Sequence, residues 1–184
     1  HRDLHSFPTR RSPDLVVVPA ALLSAAFFTG SLLHVPIGPA TSAHLLLNGL
    51  TGVLMGWVAF PVIAVALLLQ ALLFQFGGIT VLGVNTWNMA MPAVIVGIAA
   101  RPWLKRAGCL RLTAAFLGGA LGVLGAALLT ALSLAFTDEG FATAAKLLFI
   151  AHLPIAVVEG LVTVSVVSFL AKVRPEMLAA RPGS

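Results

Sequence analysis

The stretch LTAAFLGGALGVLGAALLTALSLAF, residues 112–136, carries no charged residue. As a helix it would rise about 1.5 Å per residue, more than enough to cross a hydrocarbon core of about 30 Å. It has no charged face to turn toward water, so it does not read as a surface helix of a soluble domain. Working outward from it, five further apolar runs appear. They cover Leu15 to Leu33, Ser42 to Ala59, Pro61 to Phe76, Val84 to Ala100 and Ala145 to Ala171. Pro61 suits the first turn of its helix. Short connections join the runs. The expectation is an all-α polytopic membrane bundle of six transmembrane helices. A barrel would alternate apolar and polar positions, and these runs are apolar on both parities, so strands are not expected.

Composition agrees. Of 184 residues, 59% are hydrophobic and 9% charged, and the mean hydropathy is +1.04. Soluble domains carry about 25% charged residues. A soluble enzyme, a nucleic-acid-binding domain and a disordered chain are all disfavoured. The sequence pI near 10.8 comes from 11 basic and 6 acidic residues. That small excess fits basic cytoplasmic loops better than a nucleic-acid surface. Cys109 is the single cysteine, so no internal disulfide forms.

The opening HRDLHSFPTRRSPD, residues 1–14, is polar and aperiodic, and no initiator Met precedes it. It lacks the order of a signal peptide. It resembles spurious translation of sequencing-adapter DNA. Residues 1–14 are therefore expected to be non-native or disordered, and 15–184 to form one transmembrane domain. On this reading the native N-terminus lies outside the chain.

Lys and Arg set the orientation. Arg101, Lys105, Arg106 and Arg111 lie between the fourth and fifth runs; Lys172, Arg174 and Arg181 follow the sixth. Both segments should be cytoplasmic. Asp138 and Glu139 then fall outside, as do residues 33–41 and 76–85. Polar chemistry gathers on that outer side. His34 and His44 bracket HVPIGPATSAH, while Gln75, Thr80, Asn85, Thr86 and Asn88 crowd FQFGGITVLGVNTWNM. A ligand taken from outside is the natural reading.

His44 opens an otherwise apolar run, and neutral imidazole is a common transition-metal ligand. An interfacial cap is the blander alternative. His34, before Val-Pro, is a weaker candidate of the same kind. His152 precedes Glu159 by one heptad. Intramembrane ionisable groups are costly and usually functional. Helix–helix bonding, with His152 on a carbonyl freed by Pro154, is the structural alternative and the favoured one. Asn85, Thr86 and Asn88 either cap the fourth helix or orient metal-binding groups. Gly77, Gly78 and Gly83 would let the outer loop fold tightly. Ala21, Ala25, Ala26 and Gly30 form a small-residue pattern in the first run, as do Gly118, Gly119, Gly122 and Gly125 in the fifth. Internal packing suits the fifth, and the first could face another subunit. P-loop, HExxH, zinc-cluster and GxSxG motifs are absent, which leaves an enzyme reading little support.

HVPIGPATSAHLLLNGLTGVLMGW, FPVIAVALLLQALLFQFGGITVLGVNTWNMAMPAV and AHLPIAVVEGLVTVSVVSFLAKVRPEML together resemble the CbiM/NikM family. Its members are the substrate-binding membrane components of cobalt and nickel energy-coupling factor transporters. The resemblance spans nearly all of residues 15–184. It implies Co(II) or Ni(II) as substrate, with no cofactor, held by four nitrogens in a square plane. Three come from a native Met-His start; the fourth is a histidine matching His44. Asn85 and Thr86, with Asn88 and Gln75 nearby, would brace the inserted N-terminus. The chain departs from the family by lacking the Met-His opening and the helix that follows it. As written it would keep one of four ligands and bind metal weakly. The resemblance also implies a prokaryotic cell membrane location and three kinds of partner. These are a CbiQ/NikQ-type coupling subunit, a CbiO/NikO-type ATPase and a small CbiN/NikL-type accessory protein. Ala21, Ala25, Ala26 and Gly30 are the candidate coupling face. Cobalt import would serve cobalamin biosynthesis. Three alternatives stand beside this reading: a vitamin-binding component, an intramembrane enzyme using His152 and Glu159, and a structural assembly subunit.

Overall fold

The structure is a computed structural model and describes residues 14–32, 34–38, 41–137 and 139–179. The expectations for residues 1–13 lie outside that set, while Asp14 already opens the first helix. Helix α1 covers Asp14–Leu32. A hairpin of β1, His34–Gly38, and β2, Thr41–His44, follows. Then come α2 (Asn48–Met55), α3 (Ala59–Phe74), α4 (Leu82–Leu104), α5 (Cys109–Thr137), α6 (Ala142–Val173) and the short α7 (Pro175–Ala179).

The described residues are mostly helical, as the all-α expectation has it; the one departure from the expectation of no strands is a two-stranded hairpin. Four stretches have the length and hydropathy to cross a membrane: Leu82–Leu104, Cys109–Thr137 and Ala142–Val173 as unbroken helices, and Asn48–Phe74, which is interrupted at Gly56. A shorter apolar helix covers Val16–Leu32. Six full-length spans are not found among the described residues.

The difference lies in the second expected run. Residues 42–44 belong to β2 and residues 45–47 are not helical, so helix starts only at Asn48. Eight residues of α2 rise about 12 Å, well short of a bilayer core. Gly56, at φ 56°, leaves the helix, and a 3₁₀ turn, Gly56–Val58, leads into α3. A left-handed φ is cheap for glycine alone.

Neighbours fix the directions. Gly52 meets Ala93 and Gly97, and Gly56 meets the Arg101 guanidinium, so α2 runs the same way as α4. A short loop joins α3 to α4, which makes those two antiparallel. Hence α2 and α3 are opposed, and Gly56–Val58 is the bend between them.

Glycines allow α2 to sink into the bundle. A Cβ on Gly49 would overlap the carbonyls of Gly118 and Gly119, and one on Gly52 would overlap the Ala93 backbone. Gly119 lies against Thr163 and the Glu159 backbone, and Gly160 against Phe116, joining α5 to α6. Within a membrane, helices associate by such close packing, since lipid is as apolar as leucine. Large apolar side chains remain on the outside, with Leu161 56% and Phe169 62% exposed. The exposed apolar shell is what a lipid-facing surface requires. At the basic loop, Arg111 Nε donates to the Leu104 carbonyl at 3.0 Å, and the Arg106 guanidinium lies 5.8 Å from the Trp103 ring centre.

Candidate functional site

Pro36, Gly38 and Pro39 end the apolar helix pattern after α1, and the chain turns back as β1 and β2. The strands pair antiparallel with His34 opposite His44, Val35 opposite Ala43 and Pro36 opposite Ser42. Directly opposed residues occupy one face of such a ladder. The two candidate histidines are therefore register partners, a juxtaposition their ten-residue separation did not reveal. β2 meets both α1 and α6.

Past His44, the chain enters the bundle as Leu45, Leu46 and Leu47. Non-helical backbone at this depth needs partners from the protein. Glu159, fully buried near the middle of α6, supplies them. Its Oε1 accepts the backbone N–H of Leu46, and that of Leu47 at 2.7 Å. Its Oε2 has no partner among the described residues. Leu47 takes a left-handed φ of 52° and aims the chain into α2. Its carbonyl accepts both the backbone N–H and the hydroxyl of Thr51, at 2.9 and 2.8 Å.

Asn48 then locks the first turn. It is fully buried, and its Nδ2 donates to the carbonyls of Met89 on α4 at 3.2 Å and Gly122 on α5 at 3.0 Å. Its Oδ1 accepts the Gly49 N–H at 2.9 Å. Sequence reading missed Asn48, Thr51 and Thr163, because a single polar residue in an apolar run carries no spacing signal. The signal available was cost alone: an amide in a lipid-embedded segment needs a partner.

The other candidates sit elsewhere. Asn88 is buried and donates from Nδ2 to Ser133 Oγ on α5 at 3.1 Å. Thr86 is also buried. Asn85 is half-buried and its amide lies against Gly77, whose φ is 73°. Gln75 is exposed; at φ 58° it ends α3, where its N–H bonds back to the Gln70 carbonyl. The α4 start is thus tied to the 75–81 loop and to α5, whereas the His44 strand is tied to α1 and α6.

His152 Nδ1 lies 2.7 Å from the Leu148 carbonyl. That is a helix-internal contact, and Leu148 is not the carbonyl that Pro154 frees four residues back. His152 and Glu159 are each engaged with backbone, and no bond joins them. In α1, Ala21, Ala25 and Ala26 are exposed, but Gly30 is buried beneath Leu45 and Leu47. The four small residues therefore do not share one outward face. Among the described residues, no three His, Cys, Asp or Glu side chains group to hold a metal.

Known proteins place this arrangement. A crystal structure of a truncated transition-metal transporter superposes with a TM-score of 0.73 at 32% identity, covering 89% of this chain and 83% of that one. A cobalt transport protein CbiM from Kyrpidia tusciae is 38% identical over 85% of this chain and 68% of its own length. A fused nickel transport protein NikMN from Rhodobacter capsulatus is 36% identical over 88% of this chain; this chain spans 52% of it, about half. The family model described as the cobalt uptake substrate-specific transmembrane region, CbiM, matches residues 6–177. With that match over most of its length, and with long apolar helices throughout, the chain is a multi-pass membrane protein that belongs to the CbiM family.

Proposed function

We propose that this protein is the substrate-binding membrane component for Co(II) or Ni(II) uptake, taking the ion from the outer side. The observation that carries this reading is the pinned strand end: His44, facing His34 in register, just before a backbone segment held by Glu159 and Asn48. Fixed backbone next to a ligand position lowers the ordering cost of metal capture. His44 supplies one nitrogen ligand, the other three being expected from a Met-His start, and His34 remains the weaker candidate of the same kind. Asn85, Thr86 and Asn88 are proposed to brace the remaining ligand-bearing segment from the α4 side. Two ions that share charge and nitrogen preference make cobalt and nickel equivalent at this level.

Import needs an energy source, and the chain has no phosphate-binding loop. A coupling subunit of CbiQ/NikQ type and an ATPase of CbiO/NikO type are proposed to supply it, with a CbiN/NikL-type accessory protein. Exposed Ala21, Ala25 and Ala26 are the proposed contact for the coupling subunit. The engagement of His152 and Glu159 by backbone argues against their use as an acid–base pair.

Metal uptake into cells co-expressing the full-length protein and its partners tests the reading. His44→Ala should reduce accumulated cobalt and nickel to the level of cells without the transporter. Uptake equal to the unsubstituted protein would refute the assignment of His44.

A further inference from the structure

We infer that Glu159 is a positioning residue for metal capture: it fixes the height and direction of the His44 strand without touching the ion. This rests on the proposed role of His44. Among the described residues, Glu159 is the acidic residue buried inside a long apolar helix. Burial of a carboxyl in such a place is costly and calls for a compensating purpose.

Its partners state that purpose. Oε1 takes the N–H groups of Leu46 and Leu47, the second and third residues after His44. These groups precede α2, so Glu159 is not a helix cap; drawn from α6, it ties the link after the strand to a different helix. Thr163 completes the anchor. Its hydroxyl donates to the Glu159 carbonyl at 2.8 Å, and it lies against Gly119 of α5. The path from the α5–α6 seam to His44 therefore runs through one carboxylate oxygen and two backbone amides.

Leu47 makes the anchor directional. Its left-handed backbone is held on one side by Glu159 and on the other by Thr51. A non-glycine residue keeps such a conformation only where its surroundings over-determine it. With the carboxylate removed, residues 45–47 can relax, and the His44 backbone shifts with them. Outer partners of metal ligands typically change affinity by about 10- to 100-fold.

The test uses the full-length protein purified in detergent, with Ni(II) and Co(II) as probes. Affinity is read by calorimetry and ligand geometry by the Ni(II) d–d absorption band. Glu159→Ala should fold, bind about 10- to 100-fold more weakly and shift the band. Glu159→Gln keeps an acceptor at the Oε1 position and should recover affinity to within about threefold, with the band restored. Gly125→Ala, a packing change against Pro92 of α4 and away from Glu159, should lower thermal stability and leave the band in place. If Glu159→Ala does not fold, Glu159→Asp, which withdraws the acceptor by one methylene, takes its place with the same expected loss and band shift. Unchanged affinity and an unchanged band in the variant that folds would overturn the inference. Loss of binding in Glu159→Ala together with full binding in His44→Ala would overturn the proposed ligand instead, so the two failures are distinguishable.

Discussion

Two helices carry nearly the same small-residue spacing and use it in opposite ways. In α5, Gly122 receives the Gly49 backbone of α2, Gly118 the Val53 side chain of α2, Gly119 Thr163 and the Glu159 backbone of α6, and Gly125 Pro92 of α4. In α1, Ala21, Ala25 and Ala26 stay exposed while Gly30 alone turns inward beneath Leu47. Spacing alone permits close approach; whether the partner is internal depends on what the rest of the fold brings there. Here the eight-residue α2 makes the difference. Because it is too short to span, its whole surface must be accommodated, and only glycine faces admit a second backbone so near.

Gly122→Ala should break the inner half of this comparison with the largest effect. Its Cβ would overlap the Gly49 backbone, which cannot move aside as a flexible side chain would. A loss of about 2–3 kcal/mol, the upper part of the overpacking range, is expected in thermal unfolding in detergent. A smaller loss, about 1–2 kcal/mol, is expected for Gly30→Leu, since the nearest obstacle is the Leu47 side chain. Ala25→Leu should change stability by less than about 0.5 kcal/mol, because the site is exposed. On the proposed coupling role it should still lower metal uptake with partner subunits present. Unchanged uptake in Ala25→Leu would remove α1 from the proposed interface, and unchanged stability in Gly122→Ala would undo the inner half.

Much of this was legible beforehand because hydropathy reads burial in lipid directly. The long apolar runs that became α4, α5 and α6 are of that kind. Gly118 to Gly125 also read as internal packing, for the steric reason now seen at Gly49 and Pro92. The second run was not legible. Residues 42–59 are apolar whether they form a span, or a strand, an extended link and a short helix. What chooses between these is Glu159, 113 positions beyond Leu46, together with the Met89 and Gly122 carbonyls waiting for Asn48. No local pattern encodes partners that distant. The candidate site followed the same rule. His44 was visible as a histidine opening an apolar run, but its pairing with His34 depends on a turn whose register the apolar flanks do not set. Glu159 was visible as a buried charge, and its partners were not.

The account turns on His44 as a ligand, with Glu159 and the hairpin arranged around it. The most direct measurement is calorimetric titration of the full-length protein with Ni(II), beside its His44→Ala variant at equal thermal stability. The account predicts saturable binding by the first and a loss of at least about 100-fold in the second, as expected when an inner ligand is removed rather than an outer partner. Equal affinity in the two proteins would contradict it.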